Sequence, residues 1–255
     1  MQISNNRTQI YNYTQDSNKS NSRNESNSFN TELTKDSGDR KIIKENIIDF
    51  IDKNGGFSSI SKENEELFRS ILSDNKVSNE EWKNISYEQA KELNNLIRIG
   101  SGGVMALNSN IFDMADISYD ENFNKALYET LKNIDDDKKR SSFASDVEAK
   151  LGYNSKRLVF EGTIEENIQK DIAREKEKYK DSSNSEMLAN IIQDLKNWKT
   201  TDYGSFIKNL TNEYKSLSEH PLLSSESKLK YKKYSQYTAN MEINYNKAKN
   251  EPKYA

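Results

Sequence analysis

Apolar side chains return every third or fourth position along most of the chain after residue 40. That spacing places them on one face of an α-helix, and it predicts amphipathic helices that share a core. Only two prolines interrupt the pattern, so long helices can continue unbroken. The clearest stripes contain Phe123, Leu127 and Leu131; Met187, Leu188, Ile191, Ile192 and Leu195; and Tyr231, Tyr234, Met241 and Tyr245. We therefore predict an all-α protein.

The pattern divides the chain into three parts. Residues 1–38 are rich in Asn, Ser and Thr and have no apolar period, which predicts a disordered leader. Residues 39–118 predict a helix-loop-helix subdomain. The glycines of 100–103 indicate a hinge or boundary within it. Residues 119–255 predict an antiparallel helical bundle.

Residues with N-cap preference predict where several helices begin. A side-chain oxygen at the N-cap accepts a hydrogen bond from a free backbone N–H, and a Glu three residues later can return one. The predicted N-caps are Ser61, Ser78 with Glu81, Thr163 with Glu166, and Ser183 with Glu186.

Composition limits the classes of function. Hydrophobic residues make up 33% of the chain, below the usual ~45–50%, so the predicted core is thin. The absence of cysteine excludes disulfides, thiolate zinc sites and cysteine nucleophiles. The longest apolar runs are far shorter than the ~20 residues that a membrane span needs. The N-terminus lacks the apolar stretch of a Sec signal peptide, which predicts a protein that is cytoplasmic or exported by another route.

Two loops in the helix-loop-helix subdomain raise the question of calcium. The spacing of Asp52, Asn54 and Glu63 resembles the first, third and twelfth positions of an EF-hand loop. Phe57 and Ser59 depart from that pattern at the sixth and eighth positions. The second loop departs differently, since only Asp74 and Glu81 align with ligand positions. The candidate metal ligands are Asp52, Asn54, Glu63, Asp74 and Glu81. We favour helix caps at these positions and expect no cofactor, with Ca²⁺ as the alternative.

Other candidate chemistry has a structural interpretation. His220, the only histidine, precedes Pro221 at a predicted helix end and is expected to cap it. The three acids of 135–137 are followed by three basic residues, which is typical of a solvated loop. A hydrolase that uses a pair of carboxylates remains an open alternative.

The last predicted helix combines lysines with tyrosines. Basic and aromatic residues together are typical of single-stranded nucleic-acid binding. Tyr231, Tyr234 and Met241, however, share one helical face, which predicts that they belong to the core. We therefore favour an anionic protein partner over nucleic acid.

Together these patterns predict a non-enzymatic helical interaction protein with a protein partner. The polar leader resembles N-termini read by flagellar or type III secretion apparatus. This resemblance suggests an export substrate or a secretion- or appendage-associated factor of a bacterium. The alternatives are a calcium-responsive regulator with a degenerate EF-hand-like region and a carboxylate-dependent hydrolase. The pattern does not indicate an oligomeric state.

Overall fold

A computed structural model describes residues 47–53, 55–74, 77–98, 114–157, 160–181 and 183–251. These residues contain ten α-helices, two short 3₁₀ helices and no strand, so the all-α prediction is confirmed for this part of the chain. The first four helices are α1 (Ile47–Lys53), α2 (Lys62–Ile71), α3 (Asn79–Asn84) and α4 (Tyr87–Arg98). The remaining six are α5 (Glu121–Lys132), α6 (Asp137–Leu151), α7 (Ile164–Lys178), α8 (Ser185–Lys196), α9 (Tyr203–Glu219) and α10 (Ser225–Asn250).

Most of the predicted N-caps are confirmed. Ser61 accepts a hydrogen bond from the N–H of Asn64 at 3.2 Å. Ser78 and Thr163 each form a complete capping box with the predicted Glu. The prediction for α8 is wrong by one residue, because Asn184 holds the N-cap position and makes no side-chain cap bond. Asn is as good an N-cap residue as Ser, so two neighbouring candidates competed for one position.

The described helices form two compact units, which are considered separately. The N-terminal unit contains the described residues up to Ala115 together with Leu131–Ser145. Its buried core includes Phe68, Leu72, Trp82, Ile85 and Leu93. Between α1 and α2, Gly55 has a φ of 69°, a left-handed conformation that glycine adopts without steric cost.

The C-terminal unit contains Asp116–Thr130 and Asp146–Ala255. Helices α9 and α10 form an antiparallel hairpin, in which Tyr214 lies 6.1 Å from Tyr231 at one end and Lys208 reaches Glu242 towards the other. The first part of α5 packs on α9 through Phe123, whose ring lies 4.9 Å from that of Tyr203. The predicted antiparallel helical bundle is confirmed.

Several sequence predictions fall outside the described residues. They concern the leader (1–38), the glycine-rich hinge (100–103) and Asn54. The domain boundary placed after residue 118 stays a prediction. In the part of the chain that the structure describes, no helix is both long and apolar enough to cross a bilayer.

Candidate protein-binding surface

Helix α8 combines an apolar sequence with incomplete burial. Six of its twelve residues are apolar, yet none of the twelve is buried. Met187 is 36% exposed, and the other large apolar side chains of α8 are half-buried. In the neighbouring helix α9, by contrast, Ile207 and Tyr214 are fully buried. We define the α8 face as Met187, Leu188, Ile191, Ile192, Leu195 and the following Trp198.

The geometry of the α7–α8 hairpin explains this exposure. At ~100° per residue, the apolar side chains of α8 occupy an arc of about 140°. The apolar stripe of α7 is narrower, about 80° on the same basis, and its best-buried members are Ile168 and Ile172, each 5% exposed. One narrow stripe covers only part of a wide arc. The outer part of the α8 face therefore remains accessible.

The base of the hairpin is fixed by a buried amide. Asn154 is 5% exposed, and its Nδ2 donates to the carbonyl of Trp198 at 2.6 Å and to that of Leu151 at 3.0 Å. Its Oδ1 accepts the N–H of Thr200 at 2.7 Å. The ring of Tyr153 packs against Trp198 with centroids 6.4 Å apart. These contacts hold Trp198, the last residue of the α8 face, in one place.

The electrostatic character of the hairpin is nearly neutral. Residues 164–199 contain eight acidic and seven basic side chains, and none of them lies within the apolar arc of α8. Asp194 and Lys196 border the arc on opposite sides. The α8 face is therefore suited to an apolar surface rather than to a charged ligand.

The first predicted metal ligand, Asp52, is paired with an arginine. Both oxygens of Asp52 accept hydrogen bonds from the Arg69 guanidinium, at 2.8 and 2.5 Å. Arg69 also donates to Glu65 at 2.8 Å, and its guanidinium carbon lies 4.1 Å from the centre of the Phe57 ring. The hydrogen bonds from Arg69 hold the pKa of Asp52 below its usual value. Arg69 thus supplies the positive charge beside Asp52, in a shallow hollow of about 300 Å³.

Three further predicted ligands that the structure describes, Glu63, Asp74 and Glu81, lie at helix ends. Glu63 is exposed in the first turn of α2, and Asp74 is exposed after its last turn. Glu81 accepts the backbone N–H of Ser78 at 2.8 Å within the capping box. Within the described ranges, no group of three or more His, Asp or Glu side chains could hold a metal ion. The calcium hypothesis itself stays a prediction.

The remaining candidate groups have local partners. His220 is the C-cap of α9, and its Nδ1 accepts the N–H of Leu222 at 3.3 Å. The acids of 135–137 are each held by a different cation: Asp135 by Lys83 at 2.5 Å, Asp136 by Lys139, and Asp137 by Arg140. They are therefore dispersed rather than paired for acid–base chemistry.

Comparison with known proteins identifies no relative of this chain. The chain matches no protein-family model, no curated protein and no solved structure.

The α8 face was not predicted from the sequence, because the apolar stripe of α8 was interpreted as core. The available signal was the width of the α8 arc compared with the narrow stripe of α7.

We expect that adding calcium up to millimolar concentration leaves the fluorescence of Trp82 unchanged. Asp52 is already neutralised by Arg69, and a Glu81 oxygen is used by the capping box. The titration is made on a Trp198→Phe variant, so that Trp82 is the only indole, with magnesium as the control ion. A saturable change in emission with calcium alone would show that this expectation is wrong and would favour the EF-hand interpretation.

Proposed function

We propose that this protein is a non-enzymatic helical interaction protein, and that its α8 face binds an amphipathic helix of a protein partner. The observation that supports the proposal is that the apolar arc of α8 contains no buried residue. A helix with an apolar stripe is stabilised by burying it against another element. Within the hairpin, α7 covers only part of that stripe.

The shape of the α8 face favours a helical partner. From Met187 to Trp198 it extends for eleven residues, or about 16 Å at 1.5 Å per residue. Met187, Ile191 and Leu195 follow one another at intervals of four, which is the pattern by which a helix lies along an apolar groove. Full burial of a Leu or Ile side chain is worth ~1.5–3 kcal/mol, so covering the remaining exposed area of this stripe can stabilise a complex.

Three of the described carboxylates are unsuited to general acid catalysis. Asp52, Asp135 and Glu251 each form an ion pair with a different Arg or Lys, and hydrogen bonds from these cations hold their pKa values below the usual range. General acid catalysis by a carboxyl group at neutral pH needs the opposite, a raised pKa. The proposal therefore assigns these side chains to stability.

Site-specific photo-crosslinking tests the α8 face. A crosslinking amino acid is placed at position 191 or, as the matched control, at position 193 on the exposed opposite side of α8. In cells of the native organism we expect a discrete adduct with one protein from position 191 and none from position 193. We also expect Leu195→Asp to abolish the adduct, because a buried unpaired charge opposes docking.

A second control separates docking from folding. Leu222→Asp introduces the same charge at a loop residue that is 87% exposed, and the adduct should persist in this variant. Circular dichroism should show equal helix content in both Asp variants. Equal crosslinking from positions 191 and 193 would contradict the proposal. An adduct of twice the chain mass would show that the α8 face binds a second copy of this protein instead of a different partner.

A further inference from the structure

The outward side of α10 carries a second, chemically different surface. The buried residues of this 26-residue helix lie on one side: Tyr234, Thr238, Met241, Tyr245 and Ala248. On the opposite side, Leu229 is 56% exposed and Ile243 is 67% exposed. We define the α10 stripe as Lys228, Leu229, Lys232, Lys233, Ile243 and Lys247.

The charge of the α10 stripe is positive, although the whole chain has a net charge of −3. Helix α10 contains six lysines and two glutamates. Both glutamates lie about 100° from the centre of the stripe, one on each side, at 100° per residue. Glu242 is also paired with Lys208 of α9 at 3.7 Å. No acidic side chain therefore interrupts the stripe along the helix.

The lysines of α10 fall into two groups. The Nζ of Lys230 lies 5.1 Å from the ring centre of Tyr234, and that of Lys249 lies 5.5 Å from the ring centre of Tyr245, so these two pack on the inward tyrosines. In the described part of the chain, Lys232 and Lys233 make no ion pair. Their charges are therefore open to a partner.

The two apolar residues share one helical phase. Leu229 and Ile243 are fourteen residues apart, which is two heptads, or about 21 Å along the axis. A partner helix that winds around α10 in the manner of a coiled coil would contact both side chains. Lysines on either side of such a seam select acidic residues on the partner, because complementary charges across the seam set partner choice.

We infer that the α10 stripe binds an acidic amphipathic helix of a protein partner, with Leu229 and Ile243 as its apolar contacts. This inference does not depend on the α8 face. Single-stranded nucleic acid would need exposed rings on which to stack its bases, whereas the buried tyrosines of α10, Tyr234 and Tyr245, lie on the opposite side. A membrane surface would need a broader apolar face than two side chains.

Binding of designed peptides to the full-length protein tests this inference. The probe is a labelled helical peptide of four heptads with Leu at the seam and Glu on both flanks, and a peptide with Lys in place of Glu is its counterpart. Fluorescence anisotropy should show binding of the acidic peptide only. Lys232→Glu with Lys233→Glu should weaken that binding about tenfold, as should Leu229→Gln with Ile243→Gln.

A charge-matched control isolates the α10 stripe. Lys170→Glu with Lys176→Glu makes the same change in net charge at exposed positions of α7 and should leave the affinity unchanged. Equal weakening by this control, or no preference for the acidic peptide, would overturn the inference. Tighter binding of a single-stranded RNA or of acidic lipid vesicles, lost in the same α10 variants, would also overturn it by assigning the stripe to that ligand. Failure here leaves the crosslinking result at the α8 face unaffected, because the two tests use different helices.

Discussion

Replacing Arg140 with alanine is expected to lower the free energy of unfolding of the N-terminal unit by about 3 kcal/mol. The Arg140 side chain is only 2% exposed. Its guanidinium donates to the carbonyl of Ile134 at 2.8 Å, pairs with Asp137, and lies 4.7 Å from the centre of the Trp82 ring. Alanine would leave a buried carbonyl without this donor and a cavity beside the indole.

Denaturant unfolding followed by Trp82 fluorescence measures this effect, again in a Trp198→Phe background. Arg140→Lys should recover less than half of the loss, because an ammonium cannot donate from a planar fork and stack on an indole at once. Lys139→Ala removes an exposed ion pair with Asp136 and should cost less than about 1 kcal/mol. A loss of that small size for Arg140→Ala would contradict the expectation.

Raising the pH above about 10 is expected to unfold the C-terminal unit. Burial raises the pKa of Tyr128 and Tyr214, and it raises the pKa of Tyr245 to about 12. The Tyr214 hydroxyl also donates to the carboxylate of Asp146 at 2.5 Å, which opposes its ionisation. Above pH ~10 the tyrosines of the unfolded chain ionise, because their pKa is ~10. The same tyrosines stay protonated in the folded chain. The unfolded state then binds fewer protons, so stability present below pH ~10 is lost as the pH rises towards the folded pKa values.

The expected slope distinguishes this cause from general alkaline damage. Each such tyrosine lowers the free energy of unfolding by about 1.4 kcal/mol per pH unit, so the three together give about 4 kcal/mol per unit. Tyr214→Phe should reduce the slope by about 1.4 kcal/mol per pH unit in urea unfolding series at increasing pH. Tyr119→Phe, at a residue that is 64% exposed, should leave it unchanged. An unaltered slope in Tyr214→Phe would show that Tyr214 does not carry this dependence.

Local features of the fold were accessible from the sequence. Apolar spacing predicted the helices, and the oxygen side chains of Ser61, Ser78 and Thr163 predicted where three of them begin. These signals act over three or four residues, so one sequence contains them completely. The length of α10 was likewise predictable, because Pro221 and Pro252 are the only prolines.

Interactions between distant residues were not accessible in the same way. Asp52 looked like a metal ligand because its partner Arg69 lies seventeen residues away on another helix. Arg140 looked like a member of a solvated charge cluster, yet it is buried on Trp82. Charged side chains are nearly always exposed unless they are paired, and pairing depends on the tertiary fold. The incomplete cover of the α8 stripe depends on which helix packs against it, so it becomes visible only when the wide arc of α8 is compared with the narrow stripe of α7.

The hydrogen bonds of Asn154 have a topological consequence. They tie the end of α6 to Trp198 and Thr200, so Leu151 at the end of α6 and the residues just after α8 are bonded to the same amide. The two ends of the α7–α8 segment are therefore held together by one side chain. Because both ends are anchored at the same residue, a change in the length of this segment need not move the helices that hold it.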